Sequence, residues 1–263
     1  MSHASQTLAQ QTLNLIDLTE LSDIRTHIKA EEDALIRDLC ERAVTQFGNV
    51  ATVCVYSRFI ELAKSILGRK IKIASVINFP FGISDIETVK FETKLALSRG
   101  ASEIELVFPY KCFKLHESTD CCDIIKQVKT ACGDKKLKVI IETEELGSTK
   151  MIRAATELCI EYGANFIQTS TGKRSSGATL EATEVILHTI KTKQANCGLK
   201  VSGGIEMVAQ AERYIQLATD IMGEEWINPN HLRFGSLNLL DDVLNILAPE
   251  DTSANLNFSF GLS

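Results

Sequence analysis

At 263 residues and 29.0 kDa, with 44% hydrophobic and 24% charged side chains, the chain can bury one large core and lacks the polar excess of a disordered polymer. A formal charge of −6 and a pI near 5.5 exclude a surface that gathers nucleic acid or anionic lipid by bulk electrostatics, so neither a nucleic-acid nor a membrane partner is expected. Eight cysteines without a C-x-x-C pair, five histidines without H-E-x-x-H spacing, and no run of 18 apolar residues argue against zinc, a metal-dependent mechanism and a membrane span.

The first seven residues, Met1 to Thr7, have neither a cationic start nor an apolar run, which points to a cytoplasmic protein without a leader. Short runs rich in Val, Ile and Leu then recur near Leu13, Ala51, Ile71, Glu103, Leu137, Asn165, Gly198 and Leu232. Each is followed by a segment of helical periodicity, at the spacing of roughly thirty residues that one βα unit occupies. The stretch from Asp23 to Phe47 is longer than one helix needs and is read as an extra N-terminal helical segment. Ser84 and Glu87 have the spacing of a capping box, and Gly100 supplies a stop signal. Further helices are expected over 118–132, 149–162, 179–194 and 205–218, with a last one after Leu237.

Eight such units predict an α/β fold, a TIM (β/α)8 barrel spanning 1–263 as a single domain, with a polar, mobile tail over 250–263. A doubly wound open sheet is the competing architecture, but it normally carries a glycine-rich dinucleotide fingerprint after an early strand, which this chain lacks.

In such barrels chemistry sits at the C-terminal ends of the strands, and phosphate is often held by the loops after strands 7 and 8. The loops here contain Gly203-Gly204 and Gly235-Ser236, with Thr171-Gly172-Lys173 beside them on strand 6. These residues are candidates for an anion pocket, tight turning without a ligand being the alternative. Lys200 alternates with Leu199 and Val201 on strand 7 and should face the barrel interior, where an ammonium must be paired or functional; the alternative is a strand-end lysine reaching water. Lys138 on strand 5 is read the same way. Glu103 and Glu105 share one face of strand 4, and Glu105, nearer the strand end, is the better acid/base candidate. Asp17 on strand 1 adds a carboxylate to the same rim. Each carboxylate could equally be half of a structural ion pair.

From about Leu13 to Leu247 the chain resembles the deoxyribose-phosphate aldolase family. The resemblance is carried by Leu15-Ile16-Asp17-Leu18-Thr19, Asn78-Phe79-Pro80-Phe81-Gly82, Glu103 to Tyr110, Leu137 to Thr143, Thr169 to Lys173, Gly198-Leu199-Lys200 with Gly203-Gly204, and Arg233-Phe234-Gly235. It implies a class I aldolase that holds its substrate as a lysine imine and interconverts 2-deoxyribose 5-phosphate with acetaldehyde and glyceraldehyde 3-phosphate, without metal or cofactor.

The departures fall on that chemistry. The imine-forming lysine corresponds to Gln168, whose amide nitrogen has no lone pair with which to attack an aldehyde. The relay aspartate corresponds to Glu105, whose extra methylene displaces the carboxyl by about 1.5 Å, a shift that can cost roughly a hundredfold in rate. Lys200 matches the family's second lysine. The loop after strand 8 reads Ser236-Leu237-Asn238 where the family has small polar residues, and the chain ends Phe258 to Ser263 rather than in a tyrosine.

Three expectations follow. The first is a catalytically silent homologue, a pseudoenzyme that retains a sugar-phosphate or an unidentified protein partner. The second is an active aldolase using Lys200 as the imine lysine. The third is a different reaction on a phosphorylated sugar with Glu105 and Asp17 as acid and base. Oligomeric assembly is left open.

Overall fold

A computed structural model describes residues 3–22, 28–115, 118–174 and 177–248. Eight parallel strands close into a barrel in chain order: β1 (Ile16–Glu20), β2 (Thr52–Val55), β3 (Lys72–Ile77), β4 (Glu103–Val107), β5 (Lys136–Ile140), β6 (Phe166–Gln168), β7 (Gly198–Ser202) and β8 (Leu232–Ser236). Closure is made by β1, which pairs with both β2 and β8. The outward residues of these strands, such as Ile104, Leu106, Leu199 and Val201, are fully buried beneath the helical layer. Parallel strands covered on both faces read as near-continuous apolar runs for this reason.

The inward face is different in kind. Register brings Glu105 opposite Lys138, Gln168 opposite Lys200, and Lys200 opposite Arg233. Polar side chains therefore fill a layer of the barrel interior that branched aliphatics usually occupy.

Helix α1 (His3–Leu15) precedes the barrel and runs directly into β1. The first strand thus begins at Ile16 rather than near Leu13. Leu13 and Leu15 are helical and buried, and α1 packs against α11 (Leu239–Leu247), an arrangement that local periodicity cannot separate from a strand start. In the stretch read as an extra helical segment, α2 (Lys29–Arg42) is followed by a two-residue hairpin, Val44–Thr45 against Gly48–Asn49; residues 23–27 lie outside the described part. The expected tail over 250–263 also lies outside it.

Two other boundaries move. Helix α4 (Ile86–Ser98) is capped by Asp85, not Ser84; its carboxylate accepts from the N–H groups of Glu87 and Thr88 at 3.1 and 3.3 Å. The helix expected over 205–218 is α10 (Val208–Met222), which starts three residues later because Gly203 and Gly204 both take positive φ and carry the chain around the rim first. Helices α6 (Ser118–Cys132), α8 (Thr149–Glu161) and α9 (Leu180–Thr192) lie close to their expected positions, and the shorter α3 (Ile60–Leu67), α5 (Tyr110–Lys114) and α7 (Thr143–Leu146) follow β2, β4 and β5.

Candidate functional site

A cavity of about 290 Å³ opens at the C-terminal end of the barrel. Its floor is formed by Glu105, Gln168 and Lys200, and its rim by the strand-end loops carrying Thr171, Gly172, Lys173, Gly203, Gly204, Gly235 and Ser236. Thr19, Glu20, Ser22, Phe79, Ser202, Glu206, Leu237 and Asn238 are among the remaining wall residues. Every candidate from the sequence lines this cavity except Asp17 and Lys138, which lie beneath it and touch the residues that do.

In and beneath the floor, three carboxylates meet three cations. Lys200 Nζ lies 2.6 Å from Glu105 Oε1 and 3.4 Å from Asp17 Oδ2. Lys138 Nζ contacts Asp17 and lies 2.9 Å from Glu103 Oε2 and 3.1 Å from Glu105 Oε1. Arg233 closes the ring, its Nη1 2.5 Å from Asp17 Oδ1 and donating also to Thr52. All six ionic side chains are at most 3% exposed.

Burial alone would favour the neutral form of each group, and mutual attraction wins. Burial raises Asp17, but Lys138, Arg233 and Lys200 hold it well below the ordinary carboxylate range. Glu105 is lowered against the same burial by Lys200 and Lys138. Lys138 is desolvated, yet Asp17, Glu103 and Glu105 keep its pKa above that of an ordinary lysine. Its amine is an ammonium with no lone pair to offer.

Gln168 sits at the end of β6, 4% exposed. Its Nε2 donates to Ser170 O at 3.3 Å and Ser202 Oγ at 3.1 Å, leaving Oε1 buried without a hydrogen-bond partner. Lys200 fits beside it because residue 235 is glycine: a β-carbon there would stand 2.7 Å from Lys200 Cε.

Sequence reasoning missed several parts of this arrangement. Arg233 is integral to the ion cluster, where it meets Asp17 and Glu103, and its signal was the same period-two alternation that singled out Lys200, Glu103 and Glu105. Glu142 adopts a left-handed backbone (φ 53°) after β5, and its buried carboxylate accepts from Thr171 N at 3.3 Å; burial pushes its pKa up. Glu206 enters the pocket wall through the β7 loop, a placement no local pattern announces. Among the described residues no group of His, Cys, Asp and Glu is arranged to hold a metal ion.

The family description "DeoC/LacD family aldolase" matches residues 13–224. The chain is 43% identical over 243 residues to the deoxyribose-phosphate aldolase of Agrobacterium fabrum, covering 91% of this chain and 92% of that one. The apo crystal structure of a Toxoplasma gondii protein with a provisional deoxyribose-phosphate aldolase label superposes with a TM-score of 0.84 at 25% identity, covering 95% of this chain and 100% of that one. A similarly labelled protein from Coccidioides immitis gives 0.74 at 28% identity, over 89% of this chain and 86% of that one.

Proposed function

This chain belongs to the DeoC/LacD aldolase family, and from that premise we propose that its pocket binds a small sugar-like carbonyl compound without forming the imine on which class I aldol chemistry depends. The carrying observation is Gln168: at the position the resemblance gives to the imine lysine, a planar amide is committed through Nε2 to Ser170 O and Ser202 Oγ. The neighbouring amines do not compensate. Lys138 lies beneath the floor among three carboxylates, and Lys200 is clamped 2.6 Å from Glu105. For either to attack a carbonyl it must lose a proton and, with it, the attraction that offsets its burial.

Borohydride reduction in the presence of acetaldehyde, and separately of 2-deoxyribose 5-phosphate, followed by peptide mass spectrometry tests this reading. The expected result is no adduct on any pocket lysine and no measurable cleavage of the phosphate ester. A reduced adduct in the peptide containing Lys200 overturns it.

One observation favours a second reading. Lys200 lines the cavity directly beside Gln168, so on geometric reach alone it is the amine that could take over the imine role, with Glu105 receiving its proton. The same adduct would establish that reading, and a Lys200→Met variant would then lose all cleavage.

A further inference from the structure

The rim of the pocket is unsuited to a phosphate dianion, and we infer that its ligand is an unphosphorylated polyhydroxy aldehyde or ketone whose far end is read through hydroxyl groups. The inference rests on the non-covalent reading of the site and deepens it by naming the ligand class. An anion seated at a strand-end rim needs unclaimed N–H donors and a positive local field. Neither is supplied at the start of α10, beside the β8 loop.

The N–H groups at the start of α10 are already used. Gln210 Oε1 accepts from Glu206 N at 2.8 Å and Met207 N at 3.0 Å, and Asp242 Oδ2 accepts from Val208 N at 2.7 Å. Asp242 thus adds a carboxylate at the start of α10. Glu206 adds a second negative charge in the pocket wall itself. On the facing loop, Leu237 presents a hydrocarbon surface, and Asn238 turns its amide toward Glu206, Nδ2 to Oε1 at 3.4 Å. Lys173 is a cation on the rim, while the charge of Lys200 is absorbed by Glu105 below.

The same groups suit a polyol. A carboxylate offers only acceptors, which match hydroxyl donors and repel phosphate oxygens. A leucine methyl beside it packs on the carbon chain of a sugar and desolvates those hydrogen bonds. Discrimination then comes from a repulsive element as much as an attractive one.

Titration calorimetry of the full-length natural chain with 2-deoxyribose, 2-deoxyribose 5-phosphate and inorganic phosphate tests the inference. The expected result is binding of 2-deoxyribose about tenfold or more tighter than its 5-phosphate, with no heat from inorganic phosphate. Glu206→Gln with Leu237→Ser should shift the preference toward the phosphate ester by at least about tenfold, and Glu206→Gln alone should shift it part of the way. Equal or tighter binding of the 5-phosphate by the natural chain overturns the inference, as does absence of binding by either sugar to the folded protein. The outcome is separable from that of the imine test. A trapped imine with the free sugar still preferred sinks only the non-covalent reading, whereas no imine with the phosphate ester preferred sinks only this one.

Discussion

At the scale of single residues, the site is governed by charge count. Three buried carboxylates face three buried cations, so Gln168 completes a neutral floor, and an amine introduced by Gln168→Lys would be a fourth cation without a partner. Burial and the adjacent Lys200 would both push that amine's pKa down. The expected outcome is a nucleophilic amine that gives a borohydride-reducible adduct with acetaldehyde where the natural chain gives none. A pKa lower in the fold than in the unfolded chain means that protonation favours unfolding. The variant should therefore lose most stability, relative to the natural chain, at pH 6 and recover it toward pH 9, as urea midpoints would record. Removing a cation has the opposite imbalance. Lys138→Met strands carboxylate charge among Asp17, Glu103 and Glu105, and should cost about 3–5 kcal/mol in urea unfolding at pH 7. A loss below about 1 kcal/mol would show that the cluster is solvated rather than mutually stabilised.

At the scale of elements, what was legible followed from periodicity, and what was not followed from contacts distant in sequence. The eight strands and the inward direction of Lys200 and Glu105 are written in period-two alternation, which needs no knowledge of the rest of the chain. Helix α1 is not, because Leu13 and Leu15 become helical only through packing on α11, more than 220 residues away. The three-residue delay of α10 is a property of the loop that makes the pocket rim, and Glu206 was invisible as a wall residue for that reason. The start of α4 is a smaller case. Ser84 and Asp85 are both good caps by type, and backbone geometry decides for Asp85. Asp85→Ala should accordingly cost about 1 kcal/mol in thermal or urea unfolding, while Ser84→Ala should stay within about 0.5 kcal/mol. The reverse ranking would restore the capping box read from the sequence.

At the scale of the whole molecule, the ion cluster ties the barrel across its interior. Asp17 comes from β1, Glu103 and Glu105 from β4, Lys138 from β5, Lys200 from β7 and Arg233 from β8, so five of the eight strands meet at one set of charges. Stability should therefore carry the signature of those charges. Asp17 and Glu105 have lower pKa values in the fold than in the unfolded chain, where they sit near 3.9 and 4.3. Their contribution is complete above roughly pH 5 and is lost as pH falls through the folded values. Lys138 is shifted upward, so its contribution is complete below an unfolded value near 10.4 and is lost only as pH rises through its folded one. Glu142, raised by burial, opposes the acid trend, because its ionised form is disfavoured in the fold and acidification relieves that cost. Three lowered carboxylates, Asp17, Glu105 and the helix cap Asp85, against one raised predict a net fall in melting temperature below pH 5. Asp17→Asn separates the parts. It should lower stability at pH 7 by about 3–5 kcal/mol, since the facing cations lose their partner, and it should flatten the acid limb between pH 5 and 3. An acid limb as steep as that of the natural chain would place the titrating carboxylates outside the barrel interior.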